Sequence, residues 1–566
     1  MTVVSQLAVA RNSLCTALNH YLAVCFSINE SHAYGRLPEG ILPELMTCVS
    51  NELVLIPDLE QTLLKARATL ASTRNCAPCI APISRLPDDI LVRIFQMITV
   101  ERRCNAHVDN GARSYQLLGY PRLLTHVCSR WREVALASKR LWLHVDIPSY
   151  ISCKESTVAR ARECIARAGA CPLDIHLVEP DIDTRPAPNP ASLSHISRLL
   201  APVSSQVQSL DFRLGKPLRS LQCPESSANR YSHLLSTAFK SSTPGSLTRL
   251  AISLENTLPG FTSQHYFMEA SRSHTSQSGA LQVPKGNITS ISISENDLEA
   301  LLLSVTTLEL KGLYPRWASQ AYHGLVELRL GTYSGVSIPE TDLRAILSSS
   351  PGLRHLDFGL RITSSSPHLN DSPVFLGELG TLVTGQRSLE ELGLLLRLIH
   401  PGSRPLRIRL DKSGRCSSHP DIPRVPFNSH IQTFFARAHV ETLSVAGTYN
   451  YSQVAELLEL VPRARVLLLN GLCLGNIKPN ACAGFSSANL CLNDFYLLRG
   501  TTIAQHFLIW LIKSHRVRRL IVAEDSKIAP SDSLNVEDKP PFMDEALSLG
   551  FIFESIPSKE CYPMEP

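Results

Sequence analysis

A single pattern of apolar and polar residues recurs along most of the chain. It reads apolar-x-x-apolar-x-apolar, and its last two apolar residues, being two apart, would lie on the same face of a strand. Eleven copies begin at residues 207, 247, 288, 305, 325, 353, 389, 440, 464, 492 and 517, and a weaker copy begins at residue 172. The pattern predicts a series of short strands of one kind.

The segments between the copies vary in length, and several have apolar residues at helical spacing. Examples are 341–347, 454–460 and 503–512; Pro351 and Pro462 follow the first two. A strand and its returning helix cannot bury their apolar faces alone, but stacked on neighbouring units they form a continuous core. The sequence therefore predicts an α/β fold of stacked strand-helix units.

The repeated pattern resembles the leucine-rich-repeat family, whose repeat carries L-x-x-L-x-L on its concave strand. The resemblance covers about residues 170–555. It implies a solenoid with parallel strands on the concave face and helices outside. The asparagine that follows the pattern in that family is mostly missing here, Asn470 being an exception, so we expect irregular repeats. The alternative is an ordinary doubly wound α/β domain.

The N-terminal region divides into three parts. Residues 1–52 are weakly patterned, whereas 53–75 have apolar residues every three or four positions, which predicts a helix with a spacing that a coiled coil would also show. A shorter helical region follows at 82–147. Its first stretch, 84–98, has Pro87 where a first helical turn tolerates proline, and a wide apolar stripe after it.

This region resembles an F-box in three blocks that come in the family's order. Leu86–Phe95 (LPDDILVRIF) matches L-P-x-[DE]-[IL]-L-x-x-I-F, Val127–Ala135 (VCSRWREVA) matches V-C-[SRK]-x-W-R-x-[LIV]-A, and Leu141-Trp142 matches the closing pair. The resemblance implies a three-helix domain that binds the Skp-type adaptor of a cullin-RING ubiquitin ligase. The loop at 99–119 is longer and more polar than that of a compact F-box.

The apolar stripe and the resemblance together assign a set of adaptor-binding residues. These are Leu86, Pro87, Ile90, Leu91, Ile94, Phe95, Val127 and Trp131. The alternative is that the same helices cap the repeat array, because a solenoid needs a polar-faced cap at each end. Both roles are compatible if Trp131, Leu141 and Trp142 pack inside the domain.

The strand positions that alternate with the inward residues should face a protein target, because strand side chains alternate between faces. In the earlier repeats these positions are small or charged, and in the later ones they turn apolar. The apolar set, which we expect to bind the target, is Leu395, Val466, Leu468, Tyr496, Leu498 and Ile521. A C-terminal tail, 526–566, folded over the repeats from about 440 to 525 is the equal alternative.

Composition excludes several classes of function. Lys and Arg exceed Asp and Glu by only 55 − 50 = 5, and aromatic residues make up 6%, which argues against a nucleic-acid-binding protein. No apolar run is long enough for a membrane span, and no secretory signal is evident. The 16 cysteines are scattered along the chain, which favours a reducing compartment, cytoplasmic or nuclear.

No catalytic motif can be assembled from the sequence, so we expect no enzymatic activity, no metal site and no cofactor. Cys76 and Cys79 have the spacing of a redox pair but lack the strand before them that such a pair requires. The leading hypothesis is a substrate-recognition subunit of a Skp/cullin/F-box ubiquitin ligase. The alternative is a protein-binding scaffold that carries an F-box-like cap and joins no ligase; an enzyme acting on the repeats' concave face is remote.

Overall fold

The chain forms two compact units of unequal size. One comprises residues 1–95 with 122–135, and the other comprises 96–121 with 136–566. The computed structural model describes residues 2–33, 40–76, 82–101, 121–148, 155–178, 194–214, 224–254, 267–271, 288–331, 336–363, 372–412, 427–474, 491–529 and 551–556.

Helices occur throughout both units. Those within the described ranges are α1 (Val3–Ala33), α2 (Leu42–Cys76), α3 (Asp88–Glu101), α4 (Ser129–Ala137), α5 (Glu155–Ala168), α6 (Ser194–Leu200), α7 (Pro224–Lys240), α8 (Glu295–Leu302), α9 (Glu340–Ser348), α10 (Leu389–Leu398), α11 (Ser429–Arg437), α12 (Tyr451–Leu460) and α13 (Gln505–Ser514).

Strands are confined to the larger unit as far as the structure describes it. They are β1 (His144–Pro148), β2 (Leu173–Val178), β3 (Val207–Leu214), β4 (Arg249–Leu254), β5 (Phe267–Ala270), β6 (Ile288–Ile291), β7 (Thr307–Lys311), β8 (Tyr314–Pro315), β9 (Glu327–Gly331), β10 (Ser337–Pro339), β11 (His355–Phe358), β12 (Arg361–Thr363), β13 (Val374–Leu376), β14 (Thr381–Arg387), β15 (Ile399–Pro401), β16 (Leu406–Lys412), β17 (Val440–Gly447), β18 (Val466–Asn470), β19 (Cys473–Leu474), β20 (Asp494–Leu498), β21 (Thr502–Ala504), β22 (Arg519–Ala523), β23 (Lys527–Ala529) and β24 (Ile552–Ile556).

One large parallel sheet organises these strands, so the α/β prediction is confirmed. Fourteen strands form it in the order β1-β2-β3-β4-β7-β9-β11-β14-β16-β17-β18-β20-β22-β24, which follows the chain from one edge to the other. The remaining strands pair in four small parallel sheets, β5 with β6 and β8, β10 with β12, β13 with β15, and β19 with β21 and β23. Within the large sheet, each described strand therefore lies beside the one that precedes it in chain order.

Two rows of apolar side chains run across the large sheet on its buried face. In the first row Leu328 lies in register between Leu308 and Leu356, and all three are fully buried. The second row contains Leu330 and, at one position, Thr384, which is also buried. The Thr384 hydroxyl donates a hydrogen bond to the Arg409 carbonyl at 3.2 Å, so this polar group is satisfied inside an apolar row.

Several return segments are helices, as predicted. The segments predicted at 341–347, 454–460 and 503–512 correspond to α9, α12 and α13. Side-chain caps fix the start of some of them, because the first backbone N–H groups of a helix have no partner within it. Asn450, for example, accepts a hydrogen bond from the Gln453 backbone N–H at 2.9 Å.

Two of the eleven predicted strands differ from the structure. The strand predicted at 389–394 is wrong, because this segment is the start of α10. Ser388 and Glu391 form a capping box there. The preceding segment, β14, supplies the strand instead. The copy at 288 is a strand, but it pairs with β5 in a small sheet rather than with the large one. Short apolar runs fit a helix and a strand equally well, so their spacing alone did not separate them.

The N-terminal segment is more regular than its sequence predicts. Residues 1–52, expected to be weakly patterned, include the whole of the long helix α1 and the start of α2, and the helix predicted at 53–75 is the continuation of α2. The Tyr21 hydroxyl donates a hydrogen bond to Glu52 at 2.8 Å and links the two helices. No side chain in 2–32 or 40–74 is buried.

Replacing Leu328 by Ala should destabilise the large sheet. The substitution leaves a cavity at a fully buried position, which costs about 2–5 kcal/mol and more where the surroundings cannot collapse. Thermal unfolding of the full chain measures the effect. Leu303→Ala is the matched control, since Leu303 is 57% exposed; equal unfolding midpoints for the two variants would contradict the core assignment.

Candidate functional site

The helices α3 and α4, whose sequences resemble the F-box motif and which we call the F-box-like helices, pack through aromatic side chains. The rings of Phe95 in α3 and Trp131 in α4 lie 4.8 Å apart between centroids. Phe95 and Leu91, one helical turn earlier, are fully buried. Leu91 and Phe95, which we expected among the adaptor contacts, are therefore interior side chains in this structure and not exposed ones.

Arg130, in the second motif block, forms hydrogen bonds with residues of the first motif block. Its guanidinium donates hydrogen bonds to the carbonyl of Leu86 and to the carboxylate of Asp88, the latter at 2.7 Å. Asp88 opens α3, where a carboxylate also interacts favourably with the helix dipole. The ion pair alone contributes little to stability because both side chains are partly exposed. The hydrogen bonds of Arg130 nevertheless fix the position of the loop before α3 relative to α4.

The other six predicted adaptor-binding residues are more exposed than Leu91 and Phe95. Pro87 is exposed, Ile90 is 40% exposed and Val127 is 55% exposed, while Ile94 is half-buried. Leu86 and Trp131 are also half-buried. We call Pro87, Ile90 and Val127 the exposed apolar residues of the F-box-like helices. The loop at 99–119 lies outside the described residues.

The closing Leu-Trp pair of the motif belongs to the larger unit. Leu141 and Trp142 are 4% and 2% exposed, and the guanidinium of Arg167 in α5 stacks on the Trp142 ring at 4.3 Å from its centroid. This cation–π contact and the burial make the pair part of the packing that precedes the sheet. The sequence had predicted these side chains inside the F-box-like domain.

The face of the large sheet opposite the apolar rows carries charged residues in its middle strands. Glu309 lies 3.5 Å from Arg249 on the neighbouring strand, and Glu327 lies 3.8 Å from Arg329. All four are half-buried, as expected for side chains that alternate with the inward leucines. The alternation places both signs of charge on this face.

Burial changes the ionisation of two residues in this charged band. Burial, and after it the charge of Arg329, lowers the pKa of His355 below its usual value. Burial raises the pKa of Asp357, although the guanidinium groups of Arg329 and Arg409 oppose this. Both shifts favour the neutral form of the side chain.

The later strands carry the predicted apolar residues, but most of these are buried. Leu468, Leu498 and Ala523 form a cluster in which each is 1% exposed, with Val466, Tyr496 and Ile556 packed against it as partly buried members. Ile521 is 2% exposed. The prediction of an exposed apolar docking surface is therefore wrong for Leu468, Leu498 and Ile521.

Leu395 does not belong to this face. It lies in α10 and is 2% exposed, because the copy of the pattern that contains it is a helix. The C-terminal tail contributes β24, which pairs in parallel with β22 and extends the sheet by one strand. Ile556 of this strand is the described tail residue in the apolar cluster; the tail segments 530–550 and 557–566 lie outside the described residues.

The sequence analysis missed a group of His and Asp residues on β1, β2 and β3. His144, Asp146 and His176 offer ligand atoms that all lie within 4.8 Å of one another. Asp174-x-His176 lies in the weaker copy of the pattern that begins at residue 172, whereas His144-x-Asp146 lies at the end of the region predicted to be helical, where no strand was predicted. In a strand, a spacing of two puts both residues of each pair on one face. Register, which the sequence did not define, brings the pairs together.

Two comparisons with known proteins gave no match for this chain. No family model matches it, and no curated protein matches it significantly. Within the described ranges, no helix combines the length and apolar character needed to cross a membrane.

Replacing Leu468 by Asp should prevent stable folding. Leu468 is 1% exposed, and an unpaired carboxylate at such a position costs several kcal/mol. Circular dichroism and thermal unfolding measure the loss. Ile552→Asp, at a strand position that is 61% exposed, should remain folded; a Leu468→Asp protein that unfolds at the wild-type temperature would argue that the cluster is open to solvent.

Proposed function

We propose that this protein is the substrate-recognition subunit of a Skp/cullin/F-box ubiquitin ligase. The F-box-like helices would bind the Skp-type adaptor, and the repeats would bind a protein target. The chain itself would perform no chemistry. It would hold the target near the ubiquitin-conjugating enzyme, so that proximity promotes transfer to a lysine of the target.

One observation carries the adaptor-binding half of the proposal. The residues that match the F-box motif divide into buried ones, Leu91 and Phe95, which hold α3 in place, and exposed apolar ones, Pro87, Ile90 and Val127. Exposed apolar side chains in α3 and in the segments just before α3 and α4 suit the binding of a helical partner. Arg130 and Asp88 further fix the loop that carries Pro87.

The order of strands in the large sheet supports the second half of the proposal, in which leucine-rich repeats bind a protein target. A doubly wound sheet reverses its strand order at a switch point, whereas the fourteen strands of the large sheet follow chain order. This order, with one apolar pattern repeated strand after strand, favours an irregular leucine-rich-repeat solenoid. In such a solenoid the charged band around Arg329 and Asp357 would face the target, and partner charges would complement it.

A second candidate is a scaffold that uses the motif only to cap the repeats. The packing of Trp142 against Arg167 favours a capping role for the end of the motif. It does not account for the exposed apolar residues at the beginning of the motif, since a cap presents a polar face to solvent. The ligase subunit is therefore the proposal that explains more of the structure.

Replacing Ile90 and Val127 together by Ala should weaken adaptor binding at least about tenfold. Each change removes apolar surface that the adaptor would bury, and about 1.4 kcal/mol corresponds to a factor of ten. Titration of purified Skp-type adaptor into the full chain measures the affinity. A folded double variant with wild-type affinity would contradict the proposed surface.

Leu123→Ala provides the matched control for this experiment. Leu123 is 55% exposed, as Val127 is, but it lies outside the predicted set of adaptor contacts. Its variant should bind like the wild type. Absence of binding by the wild-type chain itself would favour the scaffold.

A further inference from the structure

Two histidines and an aspartate converge on the face of the large sheet that also carries the charged band. His144 and Asp146 come from β1, and His176 comes from β2. The register pairs Asp146 with His176. Alternate residues of a strand share a face, so His144 and Asp146 lie side by side next to His176.

The distances in this group suit metal coordination. The Asp146 carboxylate oxygen lies 3.2 Å from His144 Nε2 and 3.1 Å from His176 Nδ1. For ligand bonds of about 2.0–2.2 Å, the donor atoms of a tetrahedral zinc site lie about 3.4 Å apart. The observed separations therefore need only small adjustments to admit an ion between the three side chains.

A second layer of carboxylates completes the resemblance to a metal site. His144 Nδ1 lies 3.0 Å from Asp174, and His176 Nε2 lies 3.4 Å from Asp211. Metal-binding histidines commonly donate their other ring N–H to a carboxylate, which orients the ring and makes the coordinating nitrogen a better ligand. His144 forms such a hydrogen bond with Asp174, and the Asp211 carboxylate lies at ion-pair distance from the corresponding nitrogen of His176.

We propose that His144, Asp146 and His176 bind a divalent transition-metal ion, with Zn²⁺ as the ion that fits best. Imidazole nitrogens with a carboxylate are ligands that Zn²⁺ prefers. Asp174 and Asp211 orient the two rings and add negative charge next to the ion. This site is independent of adaptor binding, because its residues lie outside the F-box motif blocks.

Burial at the site indicates how the ion is reached. The His176 side chain is 1% exposed, whereas those of His144 and Asp146 are 24% and 19% exposed. The ion would enter from the side of β1 and keep a solvent molecule as its fourth ligand. It would join the first two strands of the sheet across their side chains, in addition to their backbone hydrogen bonds.

The same side chains can also satisfy one another without an ion, as hydrogen bonds between imidazole and carboxylate. Binding of Zn²⁺ to the full chain, stripped with chelator and re-equilibrated, separates the two arrangements. Mass spectrometry and titration calorimetry should show one equivalent of bound Zn²⁺ per chain. Binding of this equivalent should depend on His144, Asp146 and His176. Co²⁺ should give the visible absorption of a tetrahedral site, and Zn²⁺ should raise the unfolding midpoint.

The decisive variants are His144→Ala and Asp146→Asn. Each should remove one bound equivalent or weaken it at least tenfold, and each should abolish the Zn²⁺-dependent rise in the unfolding midpoint. His323→Ala is the matched control, since His323 is exposed and far along the chain; it should behave as the wild type. Because Asp146→Asn preserves the size of the side chain, it tests the site even if His144→Ala fails to fold.

Two results would overturn the proposal. One is a wild-type chain that retains no Zn²⁺ and gains no stability from it, which would leave a hydrogen-bonded His-Asp group only. The other is equal stoichiometry and affinity in the wild type and both site variants, which would assign the bound ion to other ligands such as the free cysteines. Neither result would bear on adaptor binding, which the Ile90 and Val127 variant measures.

Discussion

Burial of two apolar rows beneath the parallel sheet is the interaction on which the larger unit depends. A single strand such as β9 offers only Leu328 and Leu330 to this core, too little to be stable alone. Each strand becomes stable because its neighbours supply the same residues in register. The loops and helices between strands can then vary, provided that every strand returns to the same row.

This constraint leaves the opposite face of the sheet free to differ from strand to strand. Its first strands carry the His-Asp group around His176, its middle strands carry paired charges around Arg329, and its later strands carry the buried cluster around Leu468. The three regions share a backbone and a register but have different chemistry. The roles proposed for this unit therefore depend on the alternating positions, whereas packing fixes the inward positions.

In the smaller unit, the motif residues divide between packing and exposure. The stripe Ile90, Leu91, Ile94 and Phe95 reads as one apolar surface in sequence, but only part of it is accessible, because Leu91 and Phe95 are fully buried and the Phe95 ring packs against Trp131. When an apolar stripe is wide enough to contact both a core and a partner, helical spacing alone does not show which of its residues are buried and which are exposed. Tertiary packing against α4 makes the division.

The sequence by itself determined the period of the strands and the identity of the inward residues. Leu250, Leu308 and Leu443 are fully buried in the large sheet, because a period of two and strong apolar character leave little choice of face. It also predicted helices such as α12, whose apolar spacing and following proline are local signals. It missed β16, although Leu406, Ile408 and Leu410 alternate with polar residues as a half-buried strand does.

Tertiary structure decided what depends on contacts between distant residues. The strand role assigned to the segment containing Leu395 is filled by β14, which pairs with β11; the segment itself forms α10, which begins with a local capping box at Ser388. Leu468 is buried in a cluster with Leu498 and Ala523, on a face that alternation alone would leave open. His144 and His176 met only through strand register, since nothing local specifies which residues two parallel strands bring side by side.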